Sequence, residues 1–226
     1  MKRILYLLTI VLVVTGCTKD PNPSNDNPND SLTISEKSVS LFKDDEYTIQ
    51  AASNSPMSYS SDNEYHATVS PQGIIKARFV GTTTINVSNA SDTKHITIDV
   101  KPRFNQFTAP NITFGDSREA VVAAMGEPDY SQFNGKVYGY YFNGNYPDCI
   151  EVHFQDDKVS EYEAMFTIPY DEEAKGYISE RFKYQYTHLT TDYYINALET
   201  VDATMLVGSY EINARYWGII FKPYNQ

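Results

Sequence analysis

Apolar and polar residues alternate with a period of two through most of this chain, and two helical stripes interrupt the alternation. Tyr47-Ile49-Ala51, Ile85-Val87 and Ile96-Ile98-Val100 each put apolar side chains on one face, and turn-forming residues separate such runs at intervals of about eight to twelve residues. Residues 31–101 are therefore expected to form an all-β domain, a small antiparallel sandwich. Beyond Lys101 the pattern changes. Residues 102–110 read as a junction, and Ile112-Thr113-Phe114-Gly115 leads into a stripe of Val121, Val122 and Met125 at helical spacing. Asp116 is placed as N-cap with Glu119 three residues on, Gly126 closes the helix and Pro128 stops it. Strands over 130–133 and 136–142 flank Asn134-Gly135, a hairpin signal, and 149–154 and 159–166 flank a second turn at 155–158. A second helix is predicted over 171–184 with Ala174, Tyr177, Ile178 and Phe182 on one side. Three strands follow, at 193–198, 203–212 and 215–221. Residues 102–226 thus read as an α+β domain with an antiparallel sheet and two helices, a helix-plus-strands unit repeated in tandem.

The N-terminus follows neither period. Met1-Lys2-Arg3 is cationic, residues 4–14 are almost wholly apolar, and Thr15 and Gly16 are small, which is the composition of a secretory signal over residues 1–16. The apolar run is well short of the roughly 20 residues of a spanning helix. Val14-Thr15-Gly16-Cys17 resembles the bacterial lipoprotein lipobox, with Val14 where Leu is commonest and Thr15 where Ala or Ser is usual. The resemblance implies a diacylglyceryl group on the Cys17 thiol, cleavage before it and acylation of the new amine. At about 0.8 kcal/mol per buried methylene, two or three acyl chains hold a protein firmly on a membrane. The alternative is an ordinary secretory signal that a cysteine happens to follow. Residues 17–30, lipidated Cys17 and then a Pro/Asn/Asp-rich run, form a tether. Lys19-Asp20 resembles the short Lys-plus-acid signals that send lipoproteins of some bacteria to the cell surface. The expected location is the outer membrane, with the surface and periplasmic faces both open.

Within residues 31–101, Leu32-Thr33-Ile34, the Ser60-Ser61-Asp62-Asn63 turn, the run from Ala67 through Gly73 to Ala77, and Gly81-Thr82-Thr83-Thr84-Ile85-Asn86-Val87 resemble the group 2 bacterial immunoglobulin-like domain. Tyr59 stands where that family has tryptophan. The resemblance implies a spacer or adhesive module. Gly115-Asp116-Ser117-Arg118-Glu119-Ala120-Val121 followed by Met125-Gly126-Glu127-Pro128 resembles the opening of small barrel-assembly lipoproteins, and the tandem form resembles the β-lactamase-inhibitor-protein fold. Those relatives bind proteins and are not catalysts.

Composition narrows the function further. The formal charge is −11, and cleavage before Cys17 removes Lys2 and Arg3 but no acid, leaving 16 basic residues against 29 acidic, or −13. That sign and the lack of a Lys/Arg cluster argue against nucleic-acid binding. Cys149 has no partner besides Cys17, so no disulfide framework exists; it is either a buried apolar residue or a reactive thiol. His66 and His95 lie in the β-domain without neighbours at ligand spacing. Cys149, Glu151 and His153 share one face of a predicted strand, with about 13 Å from Cys149 to His153 at about 3.3 Å per residue, too far for a Cys-His dyad. A metal there needs ligands from a neighbouring strand, and neither metal nor cofactor is expected. Asp156-Asp157 and Glu172-Glu173 sit in a turn and at a helix start, where negative charge serves structure. No catalytic signature occurs, and the chain is expected not to be an enzyme. Fifteen of 19 tyrosines, nine of 11 phenylalanines and the single tryptophan lie beyond Lys101. Tyr138, Tyr140, Tyr194 and Trp217 are the candidate binding residues. The expectation is a lipid-anchored, non-catalytic module for an envelope protein partner, with a carbohydrate-binding lipoprotein and an envelope or glycan hydrolase as alternatives.

Overall fold

The computed structural model describes residues 31–143, 147–168 and 171–224. The signal segment, Cys17 and the tether lie outside the described residues. Nine strands occupy the first domain: β1 Leu32–Ile34, β2 Ser38–Phe42, β3 Glu46–Thr48, β4 Ala51–Ser53, β5 Ser58–Ser61, β6 Ala67–Val69, β7 Ile74–Ala77, β8 Gly81–Ser88 and β9 Thr93–Lys101. They form sheets of order β2-β9-β8-β5 and β3-β7-β6, with β1 and β4 as a separate pair. The alternating residues Ile85, Val87, Ile96, Ile98 and Val100 join Leu32, Leu41 and Ile75 in one core between the sheets. The sandwich is not wholly antiparallel. β2 runs parallel to β9 because the chain reaches this edge by leaving β1, which pairs elsewhere with β4, and not through a hairpin from β9. Tyr59 lies over Gly73, where an added Cβ would come within 3.0 Å of its ring, so the tyrosine has a packing role at that turn.

The second domain contains α1 Arg118–Met125, β10 Tyr130–Gln132, β11 Val137–Tyr141, β12 Cys149–Gln155, β13 Lys158–Thr167, α2 Asp171–Arg181, β14 Lys183–His188, β15 Thr191–Ile195, β16 Met205–Asn213 and β17 Tyr216–Pro223. All eight strands form one sheet of order β10-β11-β12-β13-β17-β16-β15-β14. Each half is a helix followed by a four-stranded meander, and the last strands of the halves, β13 and β17, pair antiparallel in the middle. Sequence patterning predicts three strands after α2; the fourth, β14, begins at Lys183, one residue past the end of α2 at Arg181, where the pattern continues the helix to 184. The N-cap of α1 is Ser117, whose Oγ accepts from the Ala120 amide at 3.3 Å. Asp116 sits one residue earlier and accepts from the Thr113 amide, closing the preceding turn.

Both helices lie on the same face of the sheet. Their cover is completed by the segment after Lys101, expected as a junction but folded as a strap: Phe104, Phe107, Ala109, Ile112 and Phe114 pack into the core. Phe107 is 2% exposed and meets Phe166 and Tyr177 edge to face at 5.4 and 4.6 Å. Phe104 lies against Gly176 of α2, at a spot where a Cβ would come within 2.3 Å of its ring. The strap is held by Glu180, a 3% exposed carboxylate that accepts from the Arg103 amide at 2.9 and 3.0 Å and the Phe104 amide at 3.1 Å. The same turn of α2 meets the first domain. Glu180 O accepts from the Val80 amide at 2.8 Å, Ser179 O from Lys43 Nζ and Arg181 O from the Tyr65 hydroxyl.

Candidate functional site

One face of the eight-stranded sheet is covered by the helices and strap, and the other has no covering element among the described residues. Strict alternation decides which side chains each face receives. Tyr138 and Tyr140 point into the covered side: Tyr140 is 4% exposed and Tyr138 packs edge to face on Phe154 at 5.0 Å. Tyr194 and Trp217 also border that core, and Lys175 Nζ stands 4.3 Å from the Trp217 ring centre. All four candidate binding residues, Tyr138, Tyr140, Tyr194 and Trp217, therefore take the covered side. For Tyr138 and Tyr140 the reason lies at Gly139. It takes the uncovered face, and the Tyr130 ring fills its place so closely that a Cβ would fall 2.0 Å from it. Tyr194 takes the covered side farther out, on the β14–β15 hairpin described below.

The uncovered face presents Cys149, Glu151 and His153 from β12, and register brings Glu163 opposite Glu151 and Glu161 opposite His153 from β13. A bulge between His153 and Phe154 interrupts this pairing, and bulges re-aim side chains. One acceptor atom each from Glu151, His153 and Glu163 lie within 4.8 Å of one another. Two tyrosines fix the carboxylates. The Tyr130 hydroxyl donates to Glu151 Oε1 at 2.6 Å, and the Tyr210 hydroxyl donates to Glu163 Oε1. Gly218 on β17 makes room for the second pair, since a Cβ there would stand 2.6 Å from Glu163 Oε1. His153 Nε2 lies 3.5 Å from Glu151 Oε2 and Nδ1 lies 3.9 Å from Glu161 Oε1. Nε2 is buried without a hydrogen-bond partner, as are Tyr140 Oη and Trp217 Nε1 on the covered side.

Burial raises the Glu163 carboxyl above its ordinary range; the Tyr210 hydrogen bond opposes that, while Glu151 and Glu161 add to it. Burial likewise raises the phenols of Tyr130 and Tyr210, helped by the carboxylates they touch. The Cys149 thiol is pushed up by burial, with its Sγ 3.6 Å from the Tyr130 hydroxyl. A thiol so placed stays protonated, which favours the buried-residue reading over the reactive one. A depression of about 510 Å³, lined by Asp129, Tyr130, Tyr141, Cys149, Met165 and Tyr216, adjoins this group.

A second surface feature is the β14–β15 hairpin. Tyr186 and Tyr193 stack across it at 5.1 Å on one face, and Tyr184 and Tyr194 meet edge to face at 5.6 Å on the other. Tyr184 and Tyr186 are each about half exposed, and Leu189 at the turn is 86% exposed. β14 ends the sheet, with no strand on its outer side among the described residues. Sequence reasoning missed this strand because Lys183-Tyr184-Gln185-Tyr186-Thr187-His188 offers no apolar side chain to a core; the alternation of tyrosine with polar residues was its only trace.

Residues 1–18 match the prokaryotic membrane lipoprotein lipid attachment site. The chain is accordingly a lipoprotein, attached to a membrane of the cell envelope through its N-terminal segment. No helix among the described residues is long and apolar enough to cross a membrane. No curated protein matches. Among solved structures, domains 4 and 5 of the S-layer protein SbsC share 19% identity at a TM-score of 0.29, over 31% of this chain and 50% of that one. This chain therefore spans half the length of that relative. An intimin mutant of EHEC O157:H7 shares 15% identity at a TM-score of 0.29, over 50% of this chain and 86% of its own. SbsC domains 5–6 share 13% at 0.29, over 88% and 87%.

Proposed function

We propose that this lipoprotein is a non-catalytic binding protein of the envelope, with an immunoglobulin-like stalk and a C-terminal domain that captures a protein partner along the β14–β15 hairpin. The observation that carries this is the free edge of β14 clad in tyrosine. A row of unpaired backbone donors and acceptors is a template for an extended segment of another chain, and the flanking side chains confer selectivity. Tyrosine brings large contact area with little conformational entropy to lose. A sugar needs the rings but not the backbone edge, so the edge favours a polypeptide. The sequence resemblance of the C-terminal domain to protein-binding folds points the same way.

A photo-crosslinking amino acid placed at Tyr186 in living cells tests the reading, with Phe133, exposed on a different hairpin, as control. The expected result is a discrete protein adduct at position 186 and none at 133. Equal adducts at both positions would contradict it. Glycan binding that falls on Tyr186→Ala would support the carbohydrate reading instead, and turnover of peptidoglycan or glycan by the purified lipoprotein would make it a hydrolase.

A further inference from the structure

We propose that Glu151, His153 and Glu163 bind one divalent transition-metal ion of the zinc class on the uncovered face of the sheet, a site independent of the partner-binding hairpin. The donor set is one imidazole nitrogen and two carboxylate oxygens, a combination that suits zinc with a fourth position for water or a ligand. All three residues stand on adjacent, paired strands, β12 and β13, so the backbone fixes their spacing. Their ligand atoms lie within 4.8 Å of one another. Atoms bound about 2.1 Å from one ion in a tetrahedral set stand about 3.4 Å apart; Nε2 and Glu151 Oε2 are already 3.5 Å apart, and the glutamate oxygens have to turn inward by roughly an ångström to close the set. The terminal torsion of glutamate is soft enough to supply it.

Three further observations single this group out from an ordinary patch of acids. First, His153 Nε2 is buried and without a hydrogen-bond partner, and it is the nitrogen nearest Glu151. A buried nitrogen lone pair or N–H left unsatisfied is costly, and a metal bond answers it. Second, the opposite nitrogen, Nδ1, faces Glu161 at 3.9 Å, longer than a hydrogen bond but on the side from which a carboxylate orients a metal-bound imidazole once the two close up. Third, each proposed carboxylate ligand spends one oxygen on a tyrosine hydroxyl, Tyr130 for Glu151 and Tyr210 for Glu163, leaving the other oxygen for the ion. Three carboxylates this close repel one another, and a dication relieves that repulsion.

The test uses the mature lipoprotein purified in detergent without a polyhistidine tag, stripped with chelator and titrated with zinc by calorimetry. The expected result is one equivalent bound, with a rise in melting temperature. His153→Ala should abolish stoichiometric binding, and Tyr210→Phe should weaken it by about tenfold, the lower end of what supporting residues contribute. Glu163→Gln keeps an acceptor for Tyr210 and removes one of the repelling charges, so the metal-free variant should melt no lower than the parent while losing the zinc-induced rise. That variant guards against misreading a folding defect. Absence of stoichiometric binding to the parent, or binding that survives both His153→Ala and Glu163→Gln, would overturn the proposal.

Discussion

Tyrosine carries much of this molecule's physics, and its role depends on which side of a strand it takes. Tyr140 and Tyr141 are neighbours in sequence, yet Tyr140 is 4% exposed and Tyr141 60%. Burial pushes the Tyr140 phenol up to about 12. Tyr65, Tyr162 and Tyr177 are also raised, chiefly by burial. A raised phenol means that the fold favours the neutral form. Its contribution is complete below the unfolded value of about 10 and is lost as pH rises through the folded value. Stability should accordingly fall steeply between about pH 10 and 12, with phenolate absorbance appearing together with loss of circular dichroism. Phenolate formation complete near pH 10 in a still-folded protein would contradict this placement of the tyrosines.

At the scale of elements, the strap and the last turn of α2 act as one unit. Removing the Glu180 carboxylate leaves the part-buried Arg103 and Phe104 amides without their acceptor, at no more than roughly 1–3 kcal/mol for each donor. Glu180→Ala should therefore lower the denaturation midpoint and open the chain to trypsin after Arg103, while the parent resists cleavage there. Unchanged cleavage would mean that the apolar side chains of the strap, Phe104 and Phe107 foremost, hold it without the carboxylate. This unit was only partly legible in sequence. The apolar stripe of α2 was plain, but nothing in Pro102-Arg103-Phe104 says that its amides seek a carboxylate 76 or 77 residues away. The β12–β13 hairpin was legible because Asp156 and Asp157 both tolerate the positive φ of 50° and 61° that its two-residue turn requires. The shared face of Glu151 and His153 followed from alternation alone. Glu163 did not, because its place opposite Glu151 depends on a pairing that contains a bulge. The direction of the candidate aromatics was illegible for a related reason: alternation tells that adjacent tyrosines diverge, but the covered side is chosen by where the helices and strap lie.

On the scale of the whole molecule, two domains meet through Tyr65, Val80 and Lys43 on one side and the helical turn from Ser179 to Arg181 on the other, with Arg103 on Lys43 and Asp45, and Ile195 on Tyr65, adding to the contact. Tyr65 also stacks on the buried ring of Phe79 at 4.6 Å, which anchors the contact in the first domain. The uncovered sheet face and the tyrosine hairpin are thus set in a fixed direction relative to the β-domain that precedes them. The attachment site in residues 1–18 sets all of this at a membrane surface, and we propose Cys17 as the lipidated residue. Palmitate labelling with membrane fractionation of cells making the parent or Cys17→Ala is the most direct test. The account predicts a labelled parent in the membrane fraction and an unlabelled variant released from it; label retained by Cys17→Ala, or an unlabelled parent, would contradict it.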